Sequence, residues 1–202
     1  MKDLMPPSRV ENAGDEPEAQ ASLRTLADVP ARYRNYPGFE RLAVDPAHED
    51  RPIPKTIREA MSAVEAELSG AVKGPVTRSD TAYIDFYDGD GYPFDVKTPL
   101  SPSGKDKWEF DSAGNAETIL AQLDKVHKIK GSTEQAPVAV LLDTTYLSAE
   151  DHHALWHQLR KKTKEDRSLL KRIYEVNVET GRRTARLSPA VNAALIRQTR
   201  GR

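Results

Sequence analysis

The 202-residue chain contains no cysteine, which excludes disulfide bonds and thiol chemistry. It also has no apolar run close to the ~20 residues that a membrane-spanning helix needs. Its first twenty residues lack the apolar stretch of a secretory signal peptide. These absences lead us to expect a protein with no signal peptide and no transmembrane segment, acting in the cytoplasm without a membrane partner.

Charge is distributed unevenly, although the formal net charge is only -1. Residues 148–202 contain thirteen Lys or Arg against six Asp or Glu, so the rest of the chain is acidic. A basic region beside an acidic site could bind a polyanion, and a solvated surface would give the same composition. The basic residues that we expect to contact phosphates are Arg160, Lys161, Lys162, Lys164, Arg182 and Arg183.

Composition divides the chain into three parts. Residues 1–20 are rich in Pro, Asp, Glu and Asn, which predicts a disordered tail. Residues 21–53 combine a short helical piece with a connection containing Pro, Tyr and Arg, and we interpret them as a wrapping or lid segment. Residues 54–202 show the regular apolar periodicity of a folded domain, with a basic C-terminal part.

Periodicity predicts an α/β domain built on one mixed sheet flanked by helices. The first helix should begin at Pro54, with Ile57, Met61, Val64, Leu68 and Val72 along one apolar face. A continuous apolar run predicts a central strand buried on both faces. The predicted elements are a helix over 54–74, a hairpin over 81–98, a helix over 115–129, a central strand within 136–147, a helix over 148–164 and a late hairpin over 170–189.

The first hairpin has a register that can be tested by its side-chain faces. With Gly89, Asp90 and Gly91 as a three-residue loop, Asp85 opposes Asp95. Ala82, Ile84 and Phe86 then share the core face with Phe94 and Val96. The other face carries Asp85, Asp95 and Lys97.

Two directly opposed carboxylates repel each other, so something should offset that repulsion. A hard divalent cation such as Mg²⁺ would do so, because it binds carboxylate oxygens and keeps positions for water and phosphate. A bound metal lowers the pKa of its water, and Lys97 could stabilise charge that develops on a phosphate. The hairpin therefore predicts a site for Mg²⁺ or Mn²⁺ at Asp85 and Asp95.

A third acid is expected from the first helix. At about 100° per residue, Glu65 borders the buried side and can reach the end of the sheet. The same arithmetic predicts that Glu59 and Glu67 face solvent.

The stretch "IDFYDGDGYPFDVKTP" at 84–99, preceded by a helix with an acid and followed by "NAETILAQLDKV", resembles the PD-(D/E)xK nuclease superfamily. It is similar to C-terminal nuclease domains of bacterial contact-dependent inhibition and other polymorphic toxins, several of which cut tRNA. The resemblance covers roughly residues 54–146.

The resemblance implies a restriction-endonuclease-like core and a metal-dependent endonuclease acting on tRNA, another RNA or DNA. It assigns the first motif acid to Asp85, the (D/E)xK pair to Asp95 and Lys97, and the helix acid to Glu65. Gln122 matches a polar position on the next helix. Were the protein a toxin, a cognate immunity protein would be its partner.

The sequence departs from the family pattern at one point, and other functions explain some of its features. Ile84 stands where the family has Pro, so Asp80 competes with Asp85 as the first acid. His153 and His157 have helical i, i+4 spacing that suits a transition metal, but a solvated helix surface gives the same pattern. Two alternatives to a nuclease are a non-catalytic nucleic-acid-binding protein and a structural protein on a nuclease-like fold.

Overall fold

The computed structural model describes residues 23–45, 51–81, 83–102 and 108–178. The protein is mixed α/β, with a five-stranded mixed sheet between helices. The tail predicted over residues 1–20 lies outside the described residues. The elements are α1 (Ala31–Arg34), α2 (Phe39–Leu42), α3 (Pro54–Leu68), β1 (Thr77–Arg78), β2 (Phe86–Tyr87), β3 (Pro93–Lys97), α4 (Ser112–Leu123), β4 (Val126–Lys128), β5 (Gln135–Pro137), β6 (Ala139–Asp143), α5 (Ala149–Lys162) and β7 (Ile173–Val176).

The main sheet has the strand order β1-β2-β3-β6-β7. Strand β2 is antiparallel to both β1 and β3, whereas β3, β6 and β7 run parallel. Strand β6 pairs on both sides and all five of its residues are buried, which confirms the predicted central strand over Ala139–Asp143. Strands β4 and β5 form a separate two-stranded ribbon.

The sheet separates two apolar clusters. Helix α3 packs on one side, where Met61 and Val64 join Phe94 and Leu141. Helices α4 and α5 pack on the other, with Val140 and Leu142. Burial of alternate residues of β6 in different clusters is what a strand covered on both faces requires.

Helix α3 is shorter and more buried than its sequence pattern predicts. It begins at Pro54, as expected, but ends at Leu68, which is half exposed. Val72 is buried outside the helix. Every residue from Thr56 to Val64 is buried, because other elements pack around the helix on several sides. Amphipathic periodicity describes a helix with one buried stripe and misses this situation.

The segment before α3 packs into the same core. Tyr33, Phe39 and Leu42 are buried there against α3. The Thr56 hydroxyl donates to the carbonyl of Ala43 at 2.6 Å and ties the start of α3 to this segment. These contacts are those of a segment that wraps around α3, and the alternative interpretation as a lid stays a prediction.

Two other elements differ from the expected bounds. Helix α4 begins at Ser112 because the Asp111 carboxylate caps it, accepting from the Gly114 N–H at 2.8 Å. It ends at Leu123, and Val126–Lys128 form strand β4 instead of continuing the helix. The strand has only three residues, of which Val126 alone is β-branched, so strand propensity gives little signal there.

The C-terminal elements agree with the sequence as far as the structure describes them. Ser148 caps α5 by accepting from the Asp151 N–H at 3.0 Å, as its position predicts. The first strand of the late hairpin is present as β7, and its proposed partner over 183–189 lies outside the described residues. No helix in the described part of the chain is long and apolar enough to cross a membrane.

Candidate active site

The first hairpin has the predicted register over its loop and its first two strand pairs. Phe86 pairs with Phe94, and Tyr87 pairs with Pro93. The Asp88 N–H donates to the Tyr92 carbonyl at 3.1 Å, which closes the loop at the expected place. Phe86, Phe94 and Val96 share one buried cluster, as predicted.

The register ends before Asp85, so the predicted direct opposition of Asp85 and Asp95 is wrong. The Asp85 N–H donates to the carbonyl of Phe94 at 2.9 Å, although Phe94 is already the pairing partner of Phe86. Strand β2 therefore has only two residues. Ile84 consequently packs with Tyr87 and Val138 instead of with Phe86, and Ala82 lies outside the described residues.

The Asp85 carboxylate occupies the gap left where β2 separates from β3. Its Oδ2 accepts from the backbone N–H of Val96 at 2.6 Å. A side-chain oxygen thus takes the hydrogen bond that a strand neighbour would normally accept. The contact fixes Asp85 beside the residue that follows Asp95.

Asp95 and Lys97 form the second half of the site. Asp95 lies in β3 and is 5% exposed, and the Lys97 Nζ lies 2.6 Å from its Oδ2. Burial, the largest cause, and the negative charge of Asp85 together raise the pKa of Asp95 to about 6, although the positive charge of Lys97 opposes the rise. Asp85 and Asp95 are therefore close enough to repel each other, although they are not a cross-strand pair.

Glu59 of α3 is the acid that joins this electrostatic group. It is 4% exposed, so the prediction that it faces solvent is wrong. Burial raises the pKa of Glu59 to about 7, with a further contribution from the charge of Asp85. Arg78 opposes the shift by donating from Nη1 to Glu59 Oε2 at 2.9 Å. Asp85 is thus the acid that interacts with both Glu59 and Asp95.

Glu65, the helix acid predicted from sequence, has different partners. Its Oε1 accepts from Arg32 at 3.0 Å, and its Oε2 accepts from the Tyr33 hydroxyl at 2.8 Å. Glu67, expected to be solvated, is partly buried and accepts from the Tyr36 hydroxyl at 2.6 Å. Both acids therefore hold the segment before α3 to that helix. The sequence calculation missed this because the segment covers the side of α3 expected to face water.

Asp80 and Gln122, the remaining candidate residues, lie in different settings. Asp80 is exposed and its Oδ1 accepts from its neighbour Thr81 at 3.3 Å. The structure therefore puts Asp85, and not Asp80, in contact with β3. Gln122 lies on α4, and its Oε1 is buried without a hydrogen-bond donor among the described residues.

The basic residues predicted to bind nucleic acid fall into two groups. Arg182 and Arg183 lie outside the described residues. Arg160, Lys161 and Lys162 are in the last turn of α5, and Lys164 is exposed just after it. Lys162 donates to Glu117 of α4 at 2.7 Å, and the Arg160 guanidinium lies 5.7 Å from the Trp156 ring centroid. Their recorded partners are thus residues of α4 and α5, not the acids.

The donor groups of the site limit which metal ion could bind. The described residues contain no group of three or more His, Cys, Asp or Glu side chains arranged to hold a metal ion. His153 and His157 are both exposed. However, Mg²⁺ commonly uses only one or two protein carboxylates and completes its shell with water and substrate phosphate. Asp95 Oδ2 is buried without a well-aligned hydrogen bond, and Asp85 lies nearby, so the donor chemistry fits that ion.

Comparisons of the chain with protein-family models, with curated proteins and with solved structures found no match. The functional argument therefore depends on the geometry and electrostatics of the site.

Proposed function

We propose that the protein is a metal-dependent nuclease that hydrolyses phosphodiester bonds on a restriction-endonuclease-like core. One observation carries the proposal: Asp85, the Asp95–Lys97 pair and Glu59 of α3 interact electrostatically around the separation of β2 from β3. This is the arrangement of helix acid, first acid and acid-x-lysine that the resemblance implies, with Glu59 in place of Glu65.

The acids have chemical properties that suit this role. Burial disfavours the charged forms of Glu59 and Asp95, and the charge of Asp85 adds to the cost. A divalent cation would offset this repulsion, with Asp85 and Asp95 as its protein ligands. When bound, Mg²⁺ or Mn²⁺ would supply Lewis acidity at the phosphate and a water of lowered pKa.

The chain's own residues would do the positioning. The Val96 N–H holds the Asp85 carboxylate in place through a backbone group that side-chain motion cannot displace. Lys97 now pairs with Asp95, and its side chain is 23% exposed. With Asp95 serving as a metal ligand, the Lys97 ammonium would be free to donate to an oxygen of the scissile phosphate, where it would stabilise developing negative charge.

A second candidate is a nucleic-acid-binding protein without cleavage. It is favoured by the Asp95–Lys97 ion pair, which already neutralises part of the site, and by the absence of a three-acid metal group among the described residues. Basic side chains would then provide salt-dependent affinity for phosphates. In either case, a toxin role with an immunity protein and an action in the cytoplasm are proposals implied only by the resemblance and by the sequence.

The test is incubation of purified protein with total tRNA and with plasmid DNA, in Mg²⁺, Mn²⁺ or chelator. The wild type should cut tRNA or plasmid DNA, and it should do so only when metal is present. Asp95→Asn should abolish cutting, and Lys97→Met should reduce the rate roughly 10²- to 10³-fold. Lys128→Met, at an exposed lysine of β4 outside the basic region, is the matched control and should cut like the wild type. Binding without cutting under every condition would favour the second candidate.

A further inference from the structure

Tyr83, which lies near the acids, is the most exposed large hydrophobic residue in the part of the chain that the structure describes. Its side chain is 74% exposed, two residues before Asp85. Its backbone φ is 73°, a left-handed conformation that is strained for a bulky side chain. Tyr83 therefore combines two unfavourable features, an aromatic ring in water and a strained backbone, which packing does not explain.

Lys125 covers one face of this ring. Its Nζ lies 4.6 Å from the Tyr83 ring centroid, within cation–π distance. The Lys125 backbone is fixed at both ends, because its N–H donates to Gln122 at 3.0 Å and its carbonyl accepts from Val138 at 2.9 Å. The Lys125 backbone is thus held at the junction of α4 and β4, and its side chain reaches the Tyr83 ring, while the high exposure of Tyr83 leaves ring surface open to solvent.

The Tyr83–Lys125 pair borders the acids from two directions. Asp85, two residues after Tyr83, is bound to Val96 of β3. Lys125 acts electrostatically on Asp95, where its positive charge opposes the rise in the pKa of that carboxyl group. An exposed aromatic ring and a cation therefore meet at the edge of the proposed cleavage site.

We infer that the exposed ring surface of Tyr83 stacks an unpaired nucleobase of the substrate, while the Lys125 ammonium contacts an adjacent backbone phosphate. Aromatic stacking beside a cation is how proteins hold single-stranded nucleic acid without reading its sequence. In a continuous duplex each base already stacks on its neighbours and is closed to Tyr83. The substrate class is therefore a single strand or a loop, in RNA or DNA. This inference rests on the proposed nuclease function.

The test uses the full chain and two independent readouts. Quenching of 2-aminopurine fluorescence in a short oligonucleotide, measured in chelator, reports stacking without cleavage. Relative kcat/KM on single-stranded, hairpin-loop and fully paired substrates, each made as RNA and as DNA, reports the effect on cleavage. The first variant is Tyr83→Asn, which removes the ring and tolerates the left-handed backbone. The second is Tyr83→Phe, which keeps an aromatic ring, and the third is Lys125→Gln. Tyr92→Asn, at a second exposed tyrosine of the same hairpin, is the matched control.

We expect the wild type to quench the fluorescence and to prefer unpaired substrates. Tyr83→Asn should lose the quenching and cut unpaired substrates roughly 5- to 150-fold more slowly. Its residual cutting of duplex should not change, Tyr83→Phe should resemble the wild type, and Lys125→Gln should weaken binding with a smaller salt dependence. All variants should melt like the wild type apart from a small rise for Tyr83→Asn, since Asn relieves strain.

Two failures are distinguishable. If Tyr83→Asn quenches the 2-aminopurine fluorescence and prefers unpaired substrates as the wild type does, the inference is overturned. The proposed nuclease function would not be affected by that result. Absence of metal-dependent cutting by the wild type would overturn the nuclease. The fluorescence would then still decide the stacking: quenching lost in Tyr83→Asn supports it, and quenching retained refutes it.

Discussion

The backbone N–H of Val96 donates to Asp85 Oδ2 at 2.6 Å. A side-chain oxygen thus accepts the hydrogen bond that a backbone carbonyl of the neighbouring strand would otherwise accept. The pairing of β2 with β3 ends at Phe86 and Phe94, so Asp85 lies outside it. The contact with Val96 therefore fixes where the Asp85 carboxylate lies. The carboxylate is held next to Asp95, and the repulsion between the two acids is built into the hairpin.

Asp85 and Asp80 can be separated by a matched pair of substitutions. Asp85→Asn keeps the size of the side chain but removes a negative charge from the acid group, so metal-dependent cleavage should fall by orders of magnitude. Asp80→Asn changes an exposed acid whose recorded partner is its neighbour Thr81, so cleavage should stay at the wild-type rate. Initial rates over a Mg²⁺ titration measure both effects. Greater loss in Asp80→Asn would reassign the first acid.

Glu59 and Glu65 give a second matched pair on one helix. Glu59→Gln should lower cleavage and raise the Mg²⁺ concentration needed for half-maximal rate, because Glu59 interacts with Asp85. Glu65→Gln weakens contacts with Arg32 and Tyr33, so it should cost about 1 kcal/mol of unfolding free energy and leave the rate unchanged. Denaturant unfolding and metal titrations distinguish the two effects. The reverse pattern would restore Glu65 as the helix acid.

The raised pKa of Glu59 predicts how stability depends on pH in the metal-free protein. Because the folded-state pKa is about 7 and the ordinary value is 4.5, the folded protein binds the proton more tightly than the unfolded chain. This contribution to stability is complete below the ordinary value and is lost as pH rises through about 7. In chelator, the melting temperature should therefore fall between about pH 5 and about pH 8.

Two additions test that explanation of the pH dependence. Glu59→Gln should make the decline smaller, because the amide does not titrate, and should leave the part that comes from the raised pKa of Asp95. Mg²⁺ should raise the melting temperature most at the alkaline end, where the carboxylates are deprotonated and can bind it. A decline that is identical in Glu59→Gln would show that other groups cause it.

A buried ion pair holds α3 to the central strand. The Arg58 Nε donates to Asp143 Oδ2 at 2.8 Å, and both side chains are almost fully buried. Ser62 donates to the same oxygen at 3.2 Å, and the Arg58 guanidinium lies 4.4 Å from the Tyr146 ring centroid. Asp143→Asn should cost about 3–5 kcal/mol, because it leaves a buried charge without its counterion. Urea unfolding measures this, and a cost below about 1 kcal/mol would contradict it.

Sequence reasoning was accurate where short-range rules decide the structure. The central strand, the Ser148 cap and the hairpin loop between Asp88 and Tyr92 follow from apolar runs, capping and turn chemistry. It was wrong about Glu59, whose burial depends on elements distant in sequence, including Arg78 of β1. A helical wheel places a residue relative to its own helix and does not show what packs on the other sides.

Part of the candidate site follows from the sequence, because two of its residues lie on the same strand. Asp95 and Lys97 lie on one strand, and their ion pair follows from alternation along β3. The early end of β2 does not follow from alternation, because "AYIDF" is a good strand sequence that the structure interrupts at Tyr83 and Asp85. The interruption creates the Asp85–Val96 contact and exposes the Tyr83 ring.

The most direct test of the proposed nuclease is cleavage of a labelled polynucleotide by metal-free protein to which Mg²⁺ is added back, with Asp95→Asn alongside. The account predicts no cutting before the addition, cutting by the wild type after it, and none by folded Asp95→Asn at any Mg²⁺ concentration. Cutting that continues in chelator, or that is equal in Asp95→Asn, would contradict a metal-dependent site at Asp85, Asp95 and Lys97.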